Sequence, residues 1–260
     1  MSVFKKLLAR VGIGAAQVDT HLFQNSLIPG ELLEGEVCIR GGDVIQEIDD
    51  IYLKVVTEYE RKYEHNDEDR TVHEECILVK HLLSERFSLQ SKEEKIIPFS
   101  FQLPYETPLT MGRQPVYLRT GLDIKSAVNP RDRDEIVVQP HPLMQGVLEA
   151  VEQLGFRLQE VDCEYTPHFH RSYPFVQEFE FRPTGKYRSH LDELEVIFRL
   201  SPEQLKVLLQ IDKRARGFKG WLNEAFDLNE RYDRFHVTQS DLTRENIGAM
   251  IDDIIQKHLP

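Results

Sequence analysis

The strongest constraint on this chain is an alternation of period two that recurs along most of its length. Leu33, Gly35, Val37 and Ile39 alternate with Glu34, Glu36, Cys38 and Arg40. Leu205, Val207, Leu209 and Ile211 alternate with Lys206, Leu208, Gln210 and Asp212. Successive side chains of a strand point to opposite faces, so such runs read as β-strands with one buried face. Similar runs occupy 51–55, 72–79, 96–103, 116–124, 136–138, 156–165, 175–181, 194–200 and 235–237. Between them stand Pro29-Gly30, Gly41-Gly42, Asn129-Pro130, Pro183-Thr184-Gly185 and Ser201-Pro202, each a turn signal. Short strands punctuated in this way predict an all-β fold of antiparallel sandwiches, not a parallel α/β sheet. The almost wholly charged segment 58–70 reads as a solvated hairpin tip.

Helical spacing is confined to a few places. Phe4, Leu7, Leu8 and Val11 form one stripe, and Leu148, Val151 and Leu154 a second that Gly155 ends. Ile247, Met250, Ile251, Ile254 and Ile255 form a third, after the N-cap candidates Ser240 and Asp241, which predicts a terminal helix over 242–259. A short helical turn is expected over 221–226.

A weak internal repeat bears on domain count. An offset of about 143 residues places Val18-Asp19 on Val161-Asp162, Gly12 on Gly155, Leu32-Leu33 on Phe175-Val176 and Gly42 on Gly185. Each half then reads helix, glycine, strand, loop, strand, glycine turn. Two tandem domains follow, 1–139 and 140–260, with the boundary at Gln139-Pro140-His141-Pro142, where two prolines stiffen the connection. The second domain carries an excursion over 214–232 and the terminal helix.

Charge removes several function classes. The 260 residues hold 32 Lys and Arg against 44 Asp and Glu, a formal net charge of −12. Duplex nucleic-acid binding needs cations to displace counterions, so no nucleic-acid partner is expected. No stretch reaches the ~20 apolar residues of a spanning helix. Residues 1–11 are too short and interrupted for a signal peptide. Cys38, Cys76 and Cys163 are odd in number and form no CxxC, which fits reduced thiols in a cytoplasmic protein.

Catalytic motifs are mostly missing from the sequence. Gly12-Ile13-Gly14 lacks the third glycine of a dinucleotide loop and precedes a strand, so it reads as a turn. There is no phosphate-cradling GxxxxGK[ST] and no GxSxG elbow. Cys163, His168 and His170, or His73 and Cys76, supply soft ligands without the doubled spacing of a zinc site. Segment 66–69 lacks the glycine and terminal glutamate of a calcium loop. The expectation is a protein that is not an enzyme, with no catalytic residue, cofactor or metal.

Three surfaces remain for partners. Lys5, Lys6 and Arg10 line the first helix beside its apolar stripe, which suits a membrane surface or a partner helix. The excursion carries Trp221, Leu222 and Phe226, aromatic and apolar anchors suited to a protein interface. The terminal helix offers Met250 and Ile254, buried either on its own domain or in a partner or homodimer contact.

The combination of motifs resembles the bacterial SpoOM family, the stage-zero sporulation-control proteins. The resemblance is carried by Phe4-Lys5-Lys6-Leu7-Leu8 with Gly12-Ile13-Gly14-Ala15, by the run from Pro29 to Val37, and by Tyr117-Leu118-Arg119-Thr120-Gly121-Leu122-Asp123-Ile124 with Asp132-Arg133-Asp134. In the second half it rests on His141-Pro142, Gly155-Phe156-Arg157-Leu158 and the run from Gly217 to Glu224. It spans essentially the full length, and no single motif is diagnostic. It implies two arrestin-like β-sandwiches and a non-catalytic cytoplasmic regulator of early sporulation that acts as a protein-binding scaffold or adaptor. The alternative is a membrane-associated arrestin-like trafficking or envelope adaptor that uses the basic first helix. No catalytic residues transfer from the family, and Arg119 and Asp123 read as ordinary positions of a two-faced strand, the alternative being part of a polar centre under the loops.

Overall fold

A computed structural model describes residues 15–65, 68–84, 86–124, 129–166, 172–212, 233–242 and 246–259. The fold is all-β, as the alternation predicts. The strands are β1 (Gln17–Leu22), β2 (Ser26–Leu27), β3 (Leu32–Arg40), β4 (Gln46–His65), β5 (Glu68–Ser84), β6 (Phe87–Leu89), β7 (Glu94–Gln102), β8 (Val116–Ile124), β9 (Arg131–Glu135) and β10 (Val137–Val138), then β11 (Phe156–Tyr165), β12 (Phe175–Pro183), β13 (Glu193–Leu200), β14 (Leu205–Asp212) and β15 (Asp233–Val237). The helices are α1 (Pro142–Gln153), α2 (Gln239–Leu242) and α3 (Ile247–His258). The chain packs into two compact units. The first comprises Met1–Thr57, Glu75–Thr107 and Pro115–Val138; the second comprises Glu58–Glu74, Pro108–Gln114 and Gln139–Pro260.

In the first unit, β3 lies between β1 and β7, antiparallel to both. Its alternation works as read: Leu33, Val37 and Ile39 are buried and Glu34 and Arg40 are exposed. A second layer is built by β4, β8 and β9, with Leu53 opposite Thr120 and Val55 opposite Leu118. The Thr20 and Thr120 hydroxyls join the layers by a buried hydrogen bond of 2.6 Å.

In the second unit, β11 to β15 pair with their sequence neighbours, all antiparallel. Phe179, Val196 and Leu209 line up across three strands and form its apolar face. The last part of β4 joins this unit, with Glu60 opposite Glu164. Segment 58–70 is therefore more than a solvated tip. Tyr59 is buried there, stacked on Tyr165 and Phe175 with ring centroids 6.0 and 5.7 Å away. The charge run conceals an alternation in which a buried aromatic anchors a two-strand ribbon.

Capping sets the helices. His141 caps α1 by accepting the Leu143 N–H at Nδ1 (3.2 Å), with Pro142 at the first helical position, where its missing N–H costs nothing. Gly155, at φ +88°, ends this segment in the left-handed region, and its carbonyl accepts the Thr184 and Gly185 N–H groups. The terminal helix begins later than the predicted 242–259. It starts at Ile247, and α2 is a separate turn closed by Asp241, whose carboxylate accepts the Thr238 N–H at 2.7 Å. The stretches that the internal repeat pairs can be compared strand by strand. β1–β3 and β11–β12 are both antiparallel pairs, but β13 continues the sheet of β12, whereas β4 does not pair with β3.

Candidate functional site

A set of carboxyl groups with raised pKa values gathers on one face of the second unit's sheet. Alternation in β11, β12 and β13 places Glu160, Asp162, Glu164, Glu178, Glu180 and Glu195 on the face opposite Phe179 and Val196. The register brings Asp162 opposite Glu178, and Glu180 opposite both Glu160 and Glu195. Like charges directly opposite destabilise a sheet unless some of them are neutral.

Burial makes them so. Glu178 is 1% exposed and neither of its carboxyl oxygens has a hydrogen-bond partner. Burial, then the neighbouring Glu164, Glu195 and Glu180, push its carboxyl well above the usual range. Burial thus favours the neutral form of Glu178. Burial, with Glu193, Glu160 and Asp162, pushes Glu180 up to about 7. Lys62, from the end of β4, meets Glu164 in a short ion pair. Burial still holds the Glu164 carboxyl above its ordinary value against that cation. For Lys62 itself burial pulls downward, and the bond to Glu164 reverses it, leaving the ammonium raised.

This arrangement holds protons; it is not built to hand them to a substrate. A general acid must reach its substrate within hydrogen-bond distance, and Glu178 is closed off. A separate cavity of about 330 Å³ opens on the first unit beside Asp19, Cys38, Arg40, Glu94 and Ile96. Its thiol is a poor nucleophile. Burial, then Glu36, Asp19 and Glu94, push the Cys38 pKa up and keep it protonated.

The residues singled out in the sequence are dispersed. Trp221, Leu222, Phe226, Lys5, Lys6 and Arg10 lie outside the described residues, as do His168 and His170. Met250 is half-buried on α3, and Ile254 is 8% exposed beside Ile251 and Ile255, within a helix that packs on α1 and β15. Cys163 is buried. His73 is exposed and Cys76 buried on the same strand, so the two do not converge. Among the described residues no group of three or more His, Cys, Asp or Glu side chains is placed to hold a metal. Arg119 pairs with Glu75, while Asp123 accepts from Asn129 (3.0 Å), each engaged elsewhere. The acidic sheet face escaped sequence reading, although Glu160-x-Asp162-x-Glu164 and Glu178-x-Glu180 announce it. Acids at alternate strand positions ordinarily mark a solvated face.

Residues 4–215 match the SpoOM protein family. The chain belongs to the SpoOM family. A relative of 42% identity is the sporulation-control protein spo0M of Bacillus subtilis (strain 168), matched over 99% of each chain. The crystal structure of Spo0M from the same organism superposes with a TM-score of 0.86 at 41% identity, covering 94% of this chain and 99% of that one. The SpoOM resemblance is borne by structural positions: Gly30 turns at φ +93° before β3, residues 117–124 lie in β8, and Gly155 with Phe156 opens β11. Among the described residues no helix is long and apolar enough to cross a membrane.

Proposed function

We propose that this chain is a non-catalytic, cytoplasmic regulator of sporulation that acts by holding other proteins on its sheets and loops. The observation that carries the reading is the end-to-end match, 42% identical, to a sporulation-control protein. The match covers 99% of this chain and 99% of that protein. The chemistry of the chain is in keeping. Among the described residues its most deeply buried acid, Glu178, is closed off from solvent, and the thiol beside the cavity is pushed up in pKa. An arrestin-like scaffold role is inference from architecture, since folds of this kind host many functions.

The test is deletion in the organism that carries the gene, followed by counts of heat-resistant spores. A change of tenfold or more, restored by the intact gene, is the expected result. Unchanged counts in the deletion strain, together with turnover of a small molecule by the purified protein, would overturn the reading.

A further inference from the structure

The outer face of the first unit's larger layer carries a row of cations on adjacent strands. The register places Lys54 directly opposite Arg119, and Arg119 directly opposite Arg133, on the adjacent strands β4, β8 and β9. The next row sets Tyr52 opposite Gly121, and Gly121 opposite Arg131. Like charges directly opposite destabilise a sheet. Neighbouring strands lie ~4.8 Å apart, so the row spans roughly 10 Å.

Aromatic rings hold these cations against the sheet. Tyr52 lies over Gly121, where a Cβ would fall 2.5 Å from its ring, so only glycine admits it. Above that ring sit the Lys54 and Lys80 ammonium groups, 4.6 and 5.2 Å from its centroid. Arg133 stands 3.6 Å from the centroid of the Tyr117 ring. Two carboxylates answer part of the charge: Glu75 pairs with Arg119, and Glu135 lies 2.9 Å from Arg133. Among the described residues Lys54, Lys80 and Arg131 have no ion-pair partner. Burial, then Lys80, Arg119 and Arg131, pull the Lys54 pKa down, which marks the crowding of cations around it.

We infer that the row Lys54–Arg119–Arg133, with Lys80 and Arg131, docks an acidic, carboxylate-bearing peptide segment of a partner protein. This rests on the reading of the chain as a protein-binding regulator and assigns that reading a surface. Carboxylate is the anion the surface already accommodates. The Tyr117 hydroxyl and the Arg119 guanidinium both donate to one oxygen of Glu75. The cations spread along a line instead of converging on a point, which matches several side-chain carboxylates better than one phosphate. A bilayer is a poorer occupant, because an anionic plane would also meet the remainder of a chain of net charge −12. A peptide meets the patch alone, within a screening length of ~8 Å.

The test uses the full-length protein and a fluorescein-labelled 12-residue peptide of alternating Glu and Ser, with the Gln–Ser peptide as its match. The Glu peptide is expected to bind, to weaken tenfold or more between 50 and 300 mM NaCl, and to lose tenfold or more with the K54E/K80E double variant. Both substitutions are on half-exposed or exposed positions, and an unchanged Tm shows that the fold survives. An R157E/R188E variant, of equal charge change elsewhere, is expected to bind as the parent does. Absence of Glu-peptide binding, an equal loss in both variants, or binding to phosphatidylserine vesicles in place of the peptide would overturn the inference. In the cell, K54E/K80E is expected to reproduce the spore-count change of the deletion. If the deletion changes the count and K54E/K80E does not, the docking surface falls and the regulatory reading stands.

Discussion

Glu178 shows most sharply how a residue's surroundings decide its chemistry. A carboxylate with no hydrogen bond at 1% exposure is untenable as an anion, so it stays protonated. Glutamine reproduces the shape of a protonated glutamate. E178Q is therefore expected to shift stability by no more than about 1 kcal/mol at pH 7, read from urea unfolding. Removing one member of a true buried ion pair costs about 3–5 kcal/mol, and a loss of that size would mean that Glu178 is ionised and paired. Glu180 gives the complementary prediction. Its carboxyl, at about 7 when folded, binds protons more tightly than in the unfolded chain. Its contribution to stability is therefore full below the ordinary carboxylate range and is lost as pH rises to about 7 and beyond. E180Q is expected to flatten the fall in urea midpoint between pH 5 and pH 8 and to be the more stable protein at pH 8. A parallel fall in both proteins would refute the assignment. Neither residue was legible as special in the sequence. Alternation places them opposite the apolar residues, and the ordinary inference is that this face is wet. What the pattern lacks is the knowledge that both faces of β12 are covered, as the burial of Val176 and Glu178 beside Phe175 and Phe179 shows.

Among the elements, legibility follows how local the determining forces are. β3, β8 and β14 are plain in the sequence because period two and nearby turn residues define them. α1 is plain from its stripe and from Gly155. The hairpin of β4 and β5 was legible as a hairpin around 58–70, but its buried anchor was not, because Tyr59 meets Tyr165 and Phe175, more than a hundred residues away. The separate turn α2 was not plain either: there the Asp241 carboxylate accepts from Thr238. Gly155 offers a test at this scale. Its φ of +88° and its approach to Gly185, whose Cα would lie 3.0 Å from a Cβ at 155, leave no room for a side chain. The left-handed backbone alone costs a non-glycine residue about 1–2 kcal/mol. G155A is expected to lower Tm by roughly 2–8 °C for a chain of this size. A Tm within 1 °C of the parent would show that the α1–β11 junction relaxes freely.

At the scale of the whole molecule, compactness and chain order part company. A sequence reader sees Gln139-Pro140-His141-Pro142 as a natural place to cut, since prolines and the change of pattern coincide there. The contacts, however, assign Glu58–Glu74 and Pro108–Gln114 to the second unit. Those borrowed segments make specific interactions within it. Tyr59 stacks on Tyr165 and Phe175, and Lys62 meets Glu164, which burial would otherwise leave facing Asp162 and Glu178 without a cation. The Gln177 side-chain amide bonds both the N–H and the carbonyl of Leu109, each at 2.8 Å. Long-range contacts of this kind leave no local trace in composition or periodicity, so a linear boundary misses them. A fragment of residues 139–260 would keep all of β11 to β15 and lose every one of these partners. Its buried acids would face one another with Lys62 gone, and the Gln177 amide would lose both its bonds, a cost of ~1–3 kcal/mol for each buried group left unsatisfied. Against a typical total stability of ~5–15 kcal/mol, that is enough to abolish cooperative folding. The fragment is expected to show no sigmoidal urea transition by near-ultraviolet circular dichroism at pH 7, while the full chain shows one. Lowering the pH to 5 is expected to restore part of the structure by neutralising the carboxylates. A fragment that unfolds cooperatively at pH 7 with the midpoint of the full chain would show that the borrowed segments are dispensable to the second unit.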